Sequence, residues 1–354
     1  MKIKILRLSI LLLAVFSIFI SCKDDDDDDS TFVVEDRTEQ QVKDNDSIVL
    51  YLSTHYYNSA FFESGINHKY TDIVISELEM DDNGDYLPMP NPDQNTMLID
   101  AVVEHTTTYL EADYVYYVLN INQGGGGEPK FTDEVRVRYE GTSLNYDNDI
   151  FDVITTPEEL LLFGDGFNTF GAIRAWQLVM PMFKTADDFD YDNGSIVYED
   201  YGLGIMFVPS GLGYFSGTST GYSYDNLMFK FELLQYEVED HDNDGIPSYS
   251  EDLDNDIDVF NDDTDEDGFP DYIDFDDDND GVSTFNELIT TYYSVDTNEN
   301  EEEPVLAEGE YEYDRSETGG VITIKTVTVV DSDSDGTPDY LDETIVTNHN
   351  EVNN

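Results

Sequence analysis

Four short segments in the C-terminal third of the chain repeat an arrangement of aspartates that could bind calcium. Each has aspartate at its first, third and fifth positions, glycine at its sixth and an acid at its twelfth. Ca²⁺ takes roughly six to eight oxygen ligands, and this spacing supplies carboxylates together with a carbonyl at the seventh position. The glycine permits the sharp turn. The candidate ligands are Asp240, Asp242, Asp244, Glu251, Asp263, Asp265, Asp267, Asp274, Asp276, Asp278, Asp280, Glu287, Asp331, Asp333, Asp335 and Asp342.

These segments differ from EF-hands in the residues that come after the glycine. Pro247, Pro270 and Pro338 occupy the eighth position, and a tyrosine lies two residues after each. The first three segments begin at 240, 263 and 276, and this alternation resembles thrombospondin type 3 repeats of surface proteins. Residues 254–258 add three aspartates without a following glycine, so they are not assigned individually. The alternative interpretation of the whole stretch is a solvated acidic tail.

Charge limits the partners that the protein can have. The chain carries 15 basic and 80 acidic residues, a formal net charge of −65, which argues against nucleic acid as a partner. Residues 240–288 contain no Lys or Arg, so we expect this segment to repel itself without metal and to stiffen when calcium neutralises it. Calcium is predicted as a structural ion, with no cofactor for catalysis. A single cysteine, Cys22, excludes an intrachain disulfide.

Alternating hydrophobic residues in the middle of the chain predict antiparallel strands. Val135, Val137 and Tyr139 share one face, and residues 227–233 repeat the same period of two. Between them, residues 173–183 place apolar side chains at helical spacing, and Pro181 should end or kink that helix. The predicted class is α+β, with an antiparallel sheet wrapped around a short helix.

A smaller N-terminal region precedes this sheet and is predicted to contain both helix and strand. Asp46 could cap a helix there. The apolar face of that helix would carry Ile48, Tyr51, Leu52, His55 and Tyr56.

Six fragments between residues 114 and 234 resemble the FKBP-type peptidyl-prolyl cis-trans isomerases in order and spacing. The resemblance extends over about 125 of the 354 residues. The fragments are YVYYVLNINQGGGGEPK at 114–130, VRVRYEG at 135–141, IFD at 150–152, AIRAW at 172–176, VPSGLGY at 208–214 and LMFKFELL at 227–234.

The resemblance implies an aromatic pocket that grips proline and favours the twisted Xaa-Pro amide. Trp176 would be its floor, and Asp152 would lie near the amide carbonyl. Tyr214 would form part of a wall and donate a hydrogen bond. The remaining walls would be Tyr139, Phe151, Ile173 and Phe229.

The sequence departs from the family at three places around this pocket. Ala175 stands where the family has glycine before the tryptophan, and Phe215 stands where it has glycine after the loop tyrosine. Residues 221–226 replace an Ile-Pro-Pro stretch that normally completes one wall. These departures keep an inactive binding module open as an alternative.

The first thirty residues are predicted to direct the protein to a membrane. Basic residues lie at the start of the chain, before most of the apolar run Leu6–Ile20. Ser21 and Cys22 follow this run, and an apolar run before a single cysteine resembles a bacterial lipobox. This implies removal of residues 1–21 and lipidation of Cys22. Lys23 followed by aspartates at 24–29 resembles the export signal of Bacteroidetes surface lipoproteins. The expected location is the outer membrane with surface exposure; the alternative faces the periplasm.

The predicted organisation has six parts. They are the signal peptide (1–21), an acidic tether (22–30), an N-terminal region (31–111), an FKBP-like domain (112–237), calcium-binding repeats (238–288), and an insertion, strand and final calcium loop with tail (289–354).

The leading hypothesis is a lipid-anchored isomerase that acts on Xaa-Pro bonds of exported proteins. Its partners would be proline-containing clients and the outer membrane. The alternatives are an inactive FKBP-like binding module on a calcium-stiffened stalk, and a calcium-dependent adhesin.

Overall fold

The computed structural model describes residues 33–145, 148–166, 169–192 and 194–350. The predicted signal peptide, Cys22 and the acidic tether lie outside these residues. The described helices and strands all belong to the unit Asp36–Asn354; the unit Met1–Glu35 contributes only residues 33–35 to the described part. Within the described ranges no helix is both long enough and apolar enough to cross a membrane.

A six-stranded antiparallel sheet forms the centre of the fold. Its spatial order is β4-β5-β10-β11-β6-β7. The strands are β4 (Val103–Tyr109), β5 (Ala112–Asn122), β6 (Glu134–Ser143), β7 (Ile150–Leu161), β10 (Gly202–Val208) and β11 (Leu227–Glu237). Strand β4 lies in the segment that the sequence assigned to the N-terminal region. It forms a tight hairpin with β5, in which Val103 pairs with Val118 and Tyr109 pairs with Ala112.

One face of the sheet packs on a short helix, as the alternation predicts. Val135, Val137 and Tyr139 point into this core together with the apolar side chains of β11 at 227, 229, 231 and 233. Helix α3 (Arg174–Val179) is buried throughout and covers them. A 3-10 turn (Met180–Met182) comes directly after it, because Pro181 has no N–H with which to continue the α-helix. The α+β class is therefore confirmed.

The N-terminal helix covers the opposite face of the sheet. Helix α1 (Arg37–Thr54) buries Ile48 and Leu52 against residues of β5 and β10, including Leu119 and Phe207. The cap is Asp36, whose Oδ1 accepts from the Glu39 N–H at 3.0 Å, so the prediction of Asp46 as the cap is wrong.

Small elements complete the N-terminal region. They are β1 (His55–Tyr57), β2 (Ile75–Glu77), β3 (Thr96–Met97) and α2 (Leu98–Ala101), and the three strands form a sheet in the order β2-β1-β3. His55 and Tyr56 thus lie in a strand, although the sequence placed them on a helical face.

An acidic segment between α3 and β10 forms a hairpin. Its strands are β8 (Asp188–Asp192) and β9 (Ser195–Glu199), which pair only with each other in the described sheets.

In the C-terminal segment, loops pack around a further three-stranded antiparallel sheet. Strands β12 (Ile289–Asp296), β13 (Glu310–Thr318) and β14 (Val321–Thr328) pair in the order β12-β14-β13, and α4 (Thr284–Glu287) precedes them. Ile246, Leu288, Val327 and Tyr340 form its core. The loops also pack on the central domain, where Val259 and Tyr272 bury with Phe131 and Phe163.

Candidate active site and cation-binding loops

The structure brings all seven predicted pocket residues into one cluster. Tyr139, Trp176 and Phe229 are buried in the inner core, and Phe151, Ile173 and Tyr214 pack against that core while staying half-buried. The seventh, Asp152, joins through a hydrogen bond, since the Tyr139 hydroxyl donates to its Oδ2 at 2.6 Å. The half-buried members form the accessible rim of the cluster.

The rings meet mostly edge to face around Trp176. The centroid of the Trp176 ring system lies 5.0 Å from that of Tyr139 and 5.1 Å from that of Phe229. Phe151 lies 5.6 Å from Phe229 and 6.3 Å from Tyr214. Such spacing is typical of favourable aromatic pairs. Each ring therefore limits the movement of its neighbours.

Gly141 makes the close approach of two walls feasible. It lies opposite Asp152 in the β6–β7 pair. A Cβ at this position would come within 2.8 Å of the Phe229 ring and 2.9 Å of the Phe151 ring. The glycine of the Tyr139-Glu-Gly fragment is thus required by the packing of these rings.

Both tyrosine hydroxyls of the site stay protonated at neutral pH. Burial raises the pKa of Tyr139, and its hydrogen bond to Asp152 adds to the shift. Burial also raises the pKa of Tyr214, with a contribution from the charge of Asp152. Tyr214 can therefore act as a hydrogen-bond donor toward a bound amide, as the resemblance implies.

Helix α1 holds the loop that carries Tyr214. Asp44 is 2% exposed, and its Oδ2 accepts from the Ser210 N–H at 2.9 Å and from the Ser210 hydroxyl at 2.6 Å. Its Oδ1 accepts from Gln40 at 2.6 Å. Asn226 joins the network by donating to the Asp44 carbonyl at 3.3 Å. The sequence singled out none of these polar residues.

Phe215, which stands where the isomerases that the sequence resembles have glycine, has a backbone conformation that glycine adopts easily. Its φ is +48°, and the Arg37 guanidinium lies 4.1 Å from the centre of its ring. Arg37 also donates to the hydroxyl of Tyr114 at 3.0 Å and to the carbonyl of Gly211 at 3.3 Å. The stacking offsets part of the strain that a bulky residue has at positive φ.

The first aspartate loop, residues 240–251, forms a buried group of carboxylates. Oxygens of Asp242, Asp244, Glu251 and Asp277 lie within 4.8 Å of one another. Asp277 comes from the third loop and was not predicted as a ligand. Asp240, which was predicted, lies close to Asp242 and Asp244 and also accepts from backbone N–H groups, including that of Gly245 at 3.0 Å.

The residues of this group fit a calcium ion. Glu251 and Asp277 are each 1% exposed, and none of their four carboxylate oxygens has a hydrogen-bond partner. Burial, followed by like charges nearby, raises the pKa of Asp242 to about 9, and burial is also the main reason that the pKa of Asp277 rises to about 11. A hard divalent cation would supply the missing partner and remove the repulsion.

The other three loops gather their first, third and fifth aspartates. These groups are Asp263, Asp265 and Asp267; Asp276, Asp278 and Asp280; and Asp331, Asp333 and Asp335. Glu287 lies near the third group, with both oxygens buried and unpartnered. Asp274 and Asp342, the twelfth residues of the second and fourth loops, are not among these groups. Asp274 lies near Asp265 and Asp267, and Asp342 lies near Asp278 of the third loop. Each accepts a local backbone N–H, from Asp276 and Thr344 respectively.

A residue pair closes each of the four loops. The second position contacts the ninth: the Thr264 N–H and hydroxyl both donate to Asp271 at 2.8 Å, and Ser332 contacts Asp339 in the same way at 2.6 Å. In the third loop the two residue types are exchanged: the aspartate, Asp277, is at the second position and the threonine, Thr284, is at the ninth. The Asp277 N–H donates to the Thr284 hydroxyl at 3.3 Å. This reversal leaves the Asp277 carboxylate available to the first loop.

Comparisons with known proteins match parts of the chain. The model of a family described as BamM C-terminal matches residues 241–315, less than half of the chain. A comparison with curated proteins found no match.

Solved structures with a likeness to part of this chain include the following three. A peptidyl-prolyl cis-trans isomerase from Pseudomonas syringae pv. tomato is 20% identical over 34% of this chain and 75% of that chain, with a TM-score of 0.26. FkpA from Escherichia coli is 21% identical over 37% and 51%, with a TM-score of 0.27. The N-terminal domain of FKBP42 from Arabidopsis thaliana is 14% identical over 34% and 86%, with a TM-score of 0.26. These TM-scores are too low to support conclusions about activity.

Proposed function

We propose that this protein is an FKBP-type peptidyl-prolyl cis-trans isomerase that acts on Xaa-Pro bonds of exported proteins. The observation that carries the proposal is the convergence of the seven residues taken from five of the six fragments, with the Tyr139 hydroxyl 2.6 Å from Asp152. Residues up to 90 positions apart in the chain (139 to 229) meet in the arrangement that the resemblance implies.

The reaction asks little of the site beyond shape and polarity. Rotation about the amide bond has a barrier of roughly 18–20 kcal/mol, and the twisted amide loses its resonance. An apolar aromatic wall disfavours the more polar planar amide, and a directed donor favours the twisted form. Trp176 and Phe229 supply the buried floor, and the half-buried Phe151, Ile173 and Tyr214 supply the surface that proline would contact. Asp152 lies beside the amide carbonyl, oriented by Tyr139.

Calcium has a structural role in this proposal. Bound calcium would neutralise the carboxylate groups of the loops. The loop residues Val259 and Tyr272, which bury against Phe131 and Phe163, would then be held on the isomerase domain. The likeness of the loops to thrombospondin type 3 repeats stays a prediction.

We further propose that Cys22 anchors the protein to the outer membrane through lipid. The apolar run before Cys22 and the acidic run after it support the anchor and surface exposure. The match of residues 241–315 to the BamM C-terminal family supports association with outer-membrane machinery. Proline-containing client proteins are the expected partners.

A binding module without catalysis is the second candidate. It is favoured by the burial of Trp176 and Phe229, which are 3% and 2% exposed, and by the replacement of the Ile-Pro-Pro stretch with residues 221–226. Such a module would hold an extended partner segment on the rim of Phe151 and Tyr214 without lowering the rotation barrier.

A refolding assay separates the two candidates. A protein whose refolding is limited by proline isomerisation would be refolded with residues 23–354 in millimolar calcium, beside a Trp176→Leu variant. Phe170→Leu is the matched control, because Phe170 precedes the same helix and is 85% exposed. We expect acceleration that falls by about tenfold or more in Trp176→Leu, equivalent to about 1.4 kcal/mol in the barrier, and persists in the control. Absence of acceleration by the folded protein would favour the binding module.

A further inference from the structure

Residues 252–262 form a fifth aspartate loop, although its sixth position carries isoleucine. The segment reads Asp252-Leu-Asp254-Asn-Asp256-Ile257. The spacing of its first three aspartates matches that of the other loops.

The backbone of this segment nevertheless adopts the same turn as the glycine-containing loops. The Ile257 N–H donates to Asp252 Oδ2 at 3.0 Å, just as the Gly245 N–H donates to Asp240 Oδ2 at 3.0 Å. Ile257 has a φ of +68°, which is rare for a β-branched residue. The chain therefore keeps this turn in spite of the strain.

A buried carboxylate of the same segment independently points to a ligand. Asp262 is 8% exposed, and its Oδ2 has no hydrogen-bond partner. A carboxylate oxygen of Asp262 lies within 4.8 Å of carboxylate oxygens of Asp252 and Asp254. A buried carboxylate oxygen without a partner is costly, and two further acids beside it increase that cost unless a cation is present.

We propose that Asp252, Asp254 and Asp262 bind a further calcium ion. Three carboxylates and nearby backbone carbonyls are the hard oxygen ligands that Ca²⁺ prefers. The bound ion supplies the partner that Asp262 lacks and holds the turn that places Ile257 at positive φ. This site does not depend on the isomerase proposal.

The same loop contacts the helix of the candidate pocket. Arg174, at the start of α3 and 7% exposed, donates through Nη1 to the Ile257 carbonyl at 2.6 Å. The Ile257 side chain packs against the core that contains Trp176, and also against the cluster that contains Tyr272. The ion therefore fixes a loop whose backbone accepts a hydrogen bond from α3 at Arg174, two residues before the chain's single tryptophan.

Counting bound ions tests the site directly. Residues 23–354 would be titrated with Ca²⁺, and the number of bound ions would be read by native mass spectrometry for the wild type, Asp254→Asn and Asp262→Asn. Glu266→Gln is the matched control, because Glu266 is an exposed acid at the fourth position of the next loop and belongs to none of the carboxylate groups. Tryptophan fluorescence would be followed in parallel.

We expect each Asn variant to bind one ion fewer at a calcium concentration that saturates the wild type, and the control to match the wild type. Part of the calcium-dependent fluorescence change should disappear with that ion. If Asp262→Asn fails to fold, the exposed Asp254 decides the question through Asp254→Asn alone. Unchanged stoichiometry in the Asn variants would overturn the proposal, and so would an equal loss in Glu266→Gln.

Discussion

The hydroxyl of Ser210 lies 2.6 Å from Oδ2 of Asp44, and this contact joins the N-terminal helix to the loop that carries Tyr214. The Ser210 N–H donates to the same oxygen at 2.9 Å. The helix thus contributes to the candidate pocket from the far side of the sheet, through a buried charge-assisted network. This gives residues 31–111 a structural role that the sequence alone did not suggest.

Replacing Asp44 should destabilise the protein strongly. Asp44→Ala leaves the buried Ser210 hydroxyl and the Gln40 amide without their acceptor, so we expect a loss of about 2–4 kcal/mol in the free energy of unfolding. Urea unfolding monitored by Trp176 fluorescence measures it. Asp46→Ala is the matched control, since Asp46 is exposed on the same helix and should change stability by less than about 0.5 kcal/mol. Equal effects at the two positions would show that the network contributes nothing specific.

Removing the Tyr139 hydroxyl should impair the site without disturbing its packing. Tyr139→Phe keeps the ring against Trp176 and Phe229 but deletes the 2.6 Å hydrogen bond to Asp152. We expect a stability loss of about 1–2 kcal/mol and a lower isomerase rate, because Asp152 is no longer oriented. Tyr191→Phe, at an exposed tyrosine of the β8–β9 hairpin, is the control for the substitution itself. A rate equal to that of the wild type would exclude an orienting role for Tyr139.

Calcium removal should loosen the C-terminal loops, and Asp277 should have opposite effects in the two states. A single site at a calcium concentration 100 times its Kd adds about 2.7 kcal/mol of stability. Burial beside other acids raises the pKa of Asp277 to about 11, so folding in chelator at neutral pH requires this carboxyl to be protonated. Asp277→Asn removes that cost, so we expect a higher melting temperature than the wild type in chelator and a smaller increase when calcium is added.

Calorimetry with chelator and with calcium checks this prediction for Asp277. The control is Glu302→Gln, which removes an exposed charge outside the carboxylate groups. Should Asp277→Asn show the full calcium-dependent increase, Asp277 would not be a ligand of the first loop.

Asp133 should make stability fall as the pH rises toward neutrality. It is 0% exposed, and burial raises its pKa to about 7. Because the folded pKa lies above the unfolded value of 3.8, the contribution of Asp133 to the free energy of unfolding is complete below about pH 4. It is lost as the pH rises from about 4 to about 7. Each pH unit in which only the unfolded carboxyl ionises costs about 1.4 kcal/mol.

The variant Asp133→Asn isolates this contribution of Asp133. It should lose less stability than the wild type between pH 4 and pH 7, and it should be the more stable protein at pH 8, when both are measured by urea unfolding in saturating calcium. Asp93→Asn, at an exposed aspartate, should keep the wild-type pH dependence. Parallel pH profiles for Asp133→Asn and the wild type would contradict the assignment.

The resemblance to the isomerases supplied the candidate pocket residues, and local patterns in the sequence predicted the strands and the helix that carry them. The alternation around Tyr139 and along β11 fixes which side chains face the core, and the order of the fragments puts Trp176 on a helix beside them. Pro181 correctly marked the end of that helix. These features depend on neighbours in sequence, so periodicity and turn chemistry reveal them.

Features that depend on tertiary approach could not be read in the same way. Asp277 reaches a carboxylate group whose other members lie in the first loop, and Asp44 meets a loop 166 positions away. A buried aspartate on an amphipathic helix looks like any solvated acid in a chain that has 80 of them. Asp36 and Asp46 are equally good caps by residue type, and tertiary packing decided where the helix begins.

The most direct test of catalysis is the rate of cis–trans exchange in a proline-containing peptide, measured by NMR exchange spectroscopy. Uncatalysed exchange takes roughly tens of seconds at 25 °C, so catalysis is visible as new exchange peaks within a second. We predict such peaks with residues 23–354 in calcium, and their loss with Trp176→Leu. Chemical-shift changes without any faster exchange, from protein shown to be folded, would contradict an isomerase and identify the cluster as a binding site.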